Sequence, residues 1–72
     1  MTRSDIVNEI LEQTTPDELM FDIENTDIEW LADVTRDVIF QGTVGYNDVL
    51  NALIWFAGES IAFTEEQFQA DQ

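Results

Sequence analysis

Tyr46-Asn47-Asp48-Val49-Leu50-Asn51-Ala52-Leu53-Ile54-Trp55-Phe56-Ala57-Gly58 is the stretch on which the fold turns. It has no alternation of period two, and its apolar residues go nearly all the way round a helix. Such a helix is normally buried on most sides. Its most apolar part, residues 49–57, is interrupted by Asn51 and is far too short to cross a bilayer. Other elements of the chain must therefore cover it.

Working outward, Gly42-Thr43-Val44-Gly45 reads as a connector, with Gly42 suited to end the preceding helix. Before it, Thr26-Asp27-Ile28-Glu29 has the form of a capping box and opens a helix to about Phe40. There Ile28, Leu31, Ala32, Thr35, Val38 and Ile39 recur with the helical period. Thr15-Pro16-Asp17-Glu18 is a second helix start, with a capping threonine, proline in the first turn and Glu at the third position. That helix runs to about Glu24 and buries Leu19, Met20 and Ile23. Ser4 precedes a first helix in which Ile6, Val7, Ile10 and Leu11 form one face and Asp5, Glu9 and Glu12 another. Downstream, Thr64 with Gln67 forms a third box, with Phe63 and Phe68 placed as a hydrophobic staple. Val38-Ile39-Phe40 and Thr43-Val44 are the one place where brief strand pairing competes. The expected fold is all-α: a single domain over residues 1–72, with four to five short helices packed around residues 46–58.

Composition narrows the function. The chain is 44% apolar with eight aromatic residues, too rich for a segment that stays disordered. Sixteen Asp and Glu against Arg3 and Arg36 give a formal charge of −14. Without cations to displace counterions from phosphates, neither direct nucleic-acid binding nor docking on anionic lipid is expected. With no Cys and no His, the usual zinc ligands, a thiol nucleophile and a near-neutral proton shuttle are missing. No Gly-rich phosphate loop or EF-hand spacing is present. No enzyme activity, cofactor or metal is expected. The N-terminal residues do not combine a basic region with a long apolar run, so a cytoplasmic protein is expected.

Charge is also unevenly placed. Asp48 is the single charged residue between Val38 and Gly58, while the acids elsewhere fall in rows. Glu29, Asp33 and Asp37 stand at i, i+4 and i+8 in the third helix. Asp5, Glu9 and Glu12 make a row on the first, and Asp17, Glu18, Asp22 and Glu24 crowd the second. Like charges at this spacing cost ~0.2–0.5 kcal/mol per pair. Carboxylates one turn apart lie ~5.4–6 Å from each other, comparable with phosphates along a nucleic-acid strand.

These rows suggest a small acidic protein-binding module that mimics nucleic acid, docks on the basic surface of a DNA- or RNA-handling protein and inhibits it. In size and charge the chain is like small acidic inhibitors encoded by phages and mobile elements, an analogy of bulk properties alone. A structural or adaptor protein is the alternative, acting through an apolar homodimer or partner interface at Trp55 and Phe56. A third reading is the ordinary small domain of a salt-adapted organism or its virus, in which salt screens the repulsion.

Overall fold

A computed structural model describes residues 1–59 of the chain. Four helices follow one another: α1 (Arg3–Leu11), α2 (Pro16–Asn25), α3 (Ile28–Val38) and α4 (Tyr46–Glu59). The protein is all-helical, and no strand occurs among the described residues. The expected box at Thr64 and Gln67, with its Phe63–Phe68 staple, lies outside them.

Local chemistry sets each helix start, in two cases one or two residues from where the sequence pattern places it. The α1 helix is capped by Thr2, not Ser4. The Asp5 N–H donates to Thr2 Oγ1 at 3.1 Å, and the Thr2 N–H donates to Asp5 Oδ2 at 3.1 Å, a reciprocal capping box. Ser4 has Val7 three residues on and so lacks an acidic partner for a box; it sits inside the helix and is 2% exposed. At α2 the pattern holds in half. The Glu18 N–H donates to Thr15 Oγ1 at 3.2 Å, but the Glu18 carboxylate accepts from the Thr14 hydroxyl at 2.9 Å.

Between α2 and α3 the caps are divided between adjacent residues. Thr26 closes α2, its N–H and its hydroxyl both donating to the Asp22 carbonyl. Asp27 opens α3 by accepting the Glu29 N–H at 3.0 Å. The two helices therefore meet at a corner with no intervening loop, because each helix end has a side chain of its own to satisfy it.

Residues 39–45 form a corner where the alternative was a strand pair. Gln41 and Gly42 are both left-handed, with φ of 52° and 76°. The Gly42 N–H reaches back to the Arg36 carbonyl at 3.1 Å, and the Thr43 N–H donates to the Phe40 carbonyl at 3.0 Å. This reversal turns Phe40 and Val44 inward, and both join the core.

The α4 helix packs chiefly against α1 and α3, with α2 touching α3 and α4 more sparingly. Ile6, Val7 and Ile10 of α1, Leu19 of α2 and Ala32 of α3 close on Val49, Ala52, Leu53 and Phe56 of α4. One side of α4 nevertheless faces water. Asn47, Asn51, Ile54 and Gly58 are exposed and recur at helical spacing along that side. The helix is thus central without being buried all round, and its outer stripe is uncharged.

Candidate partner-binding surface

The two acidic rows and the crowded acids of α2 expected from the sequence differ once side chains are in place. On α1, Asp5 is occupied by its capping box, leaving Glu9 and Glu12 as the exposed members. On α3, Glu29, Asp33 and Asp37 are all exposed and share the face opposite Ala32 and Thr35. This row is not bare. The Arg36 guanidinium lies 3.5 Å from Asp33 Oδ1 and 3.2 Å from Asp37 Oδ1. Both are solvated pairs, of the kind that contribute ~0–1 kcal/mol to stability. Three carboxylates and one guanidinium leave the row with two uncompensated negative charges. On α2, Asp17, Glu18, Asp22 and Glu24 are exposed, and none forms an ion pair among the described residues.

The other arginine is engaged too. Arg3 places its guanidinium carbon 4.7 Å from the centroid of the Trp55 ring, within the range of a cation–π contact. Both arginines are therefore engaged within the protein itself, while most described carboxylates face solvent.

The field from α3 is felt across the helix boundary. Tyr46, partly buried at the start of α4, has its phenol raised above the ordinary value of 10.0. Desolvation is the first cause, followed by the negative charges of Glu29, Asp33 and Asp27. Both causes favour the neutral phenol over the phenolate.

The residues expected to form an apolar interface on the fourth helix fare differently. Phe56 is 2% exposed and belongs to the core, so it offers nothing to a partner. It packs in one core cluster with Val49, Ala52 and Leu53 of the same helix. Trp55 is half-buried beneath Arg3. Large apolar side chains do reach the surface, but at other places: Phe21 (64% exposed) on α2, Trp30 (57%) and Val38 (69%) on α3, and Ile54 (52%) on α4. Val38 is thereby removed from the inward face of the third helix, where the sequence pattern puts it.

Phe21 and Trp30 are the residues the sequence reading passes over. The signal for both was positional. Leu19, Met20 and Ile23 fix the inward face of α2, and Ile28, Leu31, Ala32 and Thr35 that of α3; Phe21 and Trp30 fall outside these faces. Phe21 lines an open depression with Asp17, Glu18 and Asp22. Among the described residues no group of three or more acidic side chains is placed to hold a metal ion, and no helix is long and apolar enough to cross a membrane. No family model, curated protein or solved structure matches the chain.

Proposed function

We propose that this protein acts by binding another protein, presenting the acidic outer faces of α2 and α3 to a basic surface of the kind that otherwise holds DNA or RNA. The observation that carries this reading is the disposition of charge. Arg36 is spent within the α3 row, Arg3 lies on Trp55, and the carboxylates of α2 stand without a cation. A surface so arranged gains little from its charges in folding and offers them to a partner. Opposed charge on the partner speeds encounter and fixes orientation. Helical rows carry the carboxylates at regular spacing, which is what a groove shaped for phosphates accommodates.

The test is capture of partners from host extract at low and moderate salt, followed by competition of the captured complex with duplex DNA and with RNA. Recovery of a nucleic-acid-binding protein that is released by salt and displaced by nucleic acid supports the reading. A partner whose affinity ignores salt and nucleic acid alike contradicts it. Reversal of Asp22 and Glu24 to Lys, on the helix without a cation, should weaken that complex and leave helix content intact.

A further inference from the structure

The outer face of α3 carries more than charge. Trp30, Val34 and Val38 stand at i, i+4 and i+8, and each follows directly on one member of the acidic row Glu29, Asp33, Asp37. Trp30 and Val38 are more than half exposed and Val34 is half-buried. The result is an apolar ridge with a parallel carboxylate ridge beside it. Residues four apart form the ridge that packs into the groove of a second helix. The core of this protein does not use the ridge: Ala32 and Thr35 point α3 the other way. Contiguous apolar side chains left in water beside a polar border are the mark of an interaction surface.

We infer that this face docks an amphipathic helix of another protein, one whose apolar stripe is bordered by Lys or Arg. Charge complementarity selects that occupant. A second copy would bring the same row of three carboxylates and one arginine against its equal. Residues 60–72 of the chain contribute Glu65, Glu66 and Asp71 and no cation, and would meet the same repulsion. A Lys or Arg side chain, in contrast, lays its apolar stem along the ridge and its head group on Asp33 or Glu29. Within the molecule itself an arginine already rests on an aromatic ring, the Arg3 guanidinium carbon lying 4.7 Å from the Trp55 centroid, as a partner's Arg would on Trp30. This inference rests on the acidic partner-binding reading and adds to it the partner's apolar stripe, which sequence-independent phosphate mimicry does not require.

The experiment titrates the full chain by calorimetry with two synthetic probes. One is a helical peptide with a leucine stripe bordered by lysines; the other has the same composition in scrambled order. At moderate salt the amphipathic peptide should bind about tenfold or more tightly than the scrambled one, a difference typical of a buried aromatic anchor. Combining Trp30→Ala with Val38→Ser should abolish that preference while circular dichroism stays unchanged. Equal affinity for the two peptides, or a preference that survives both substitutions, overturns the docking face and leaves the acidic reading standing. If neither peptide binds at low salt, both fail. Self-association in sedimentation that the two substitutions abolish would assign the face to a second copy, and overturns the inference as well.

Discussion

Tyr46 is the chain's one tyrosine, so its ionisation can be followed without interference from another phenol. Its tyrosinate absorbance should appear with a midpoint above 10, and Glu29→Gln with Asp33→Asn should bring that midpoint down. Added salt should lower it too, since screening acts on the charge contribution and not on burial. A midpoint indifferent to both would leave desolvation as the whole cause. The raised value has a consequence for stability. Folding favours the neutral phenol, so this contribution is complete below the unfolded value near 10 and is lost as pH rises through the folded one. Tyr46→Phe should remove that part of the alkaline destabilisation. In the core, Leu53 is fully enclosed, and Leu53→Ala should cost about 2–5 kcal/mol in denaturant unfolding. That is a large share of what so small a domain possesses, at roughly 0.05–0.15 kcal/mol per residue. Trp30→Ala should change stability by no more than about 0.5 kcal/mol, because the ring faces water.

Among the elements, the helix starts are the most local features and were the easiest to approach from sequence. The pattern Thr15-Pro16-Asp17-Glu18 needs only neighbours to act, and α2 begins there. The same locality explains the errors. Ser4 and Thr2 are both hydroxyls near the first apolar residue, and only the acid three positions on distinguishes them. Thr2→Ala should therefore cost about 1 kcal/mol, and hydrogen exchange should show the Asp5 amide losing protection. Asp27→Ala should do the same to the Glu29 amide, whereas Thr26→Ala should act on the end of α2. The acidic rows were also legible, because a row at i, i+4 and i+8 follows from helical geometry alone. What they lean on was not. Arg36 reaches Asp33 and Asp37 through its rotamer, and Phe56 turns inward because α1 and α3 close over α4. Such facts belong to packing, which composition does not encode. Val38 fits the apolar period on paper, yet it lies at the last position of α3, where the chain turns away and leaves it 69% exposed.

For the whole molecule, a formal charge of −14 concentrated on a small body makes folding a matter of the surrounding electrolyte. Added salt should raise the melting temperature at neutral pH, followed by circular dichroism, until the repulsion is screened. A melting temperature that ignores salt would mean that the carboxylates are already compensated. Helix that forms only at high salt would mark a chain adapted to such a medium. The uncharged stripe of α4 bears on a different quantity. Asn47, Asn51, Ile54 and Gly58 look outward with no charge among them, while the outer faces of α2 and α3 are rich in carboxylate. Among the described residues the charge is therefore distributed unevenly, and an uneven distribution feels a torque in any field before contact is made. Near a positively charged surface the protein should turn its α2 and α3 side inward and hold the Asn51 side out. A single cysteine introduced at Asn51 should then stay open to a thiol reagent on an anion exchanger, while one introduced at Asp33 is shielded. Equal labelling at the two positions would mean that it lands at random.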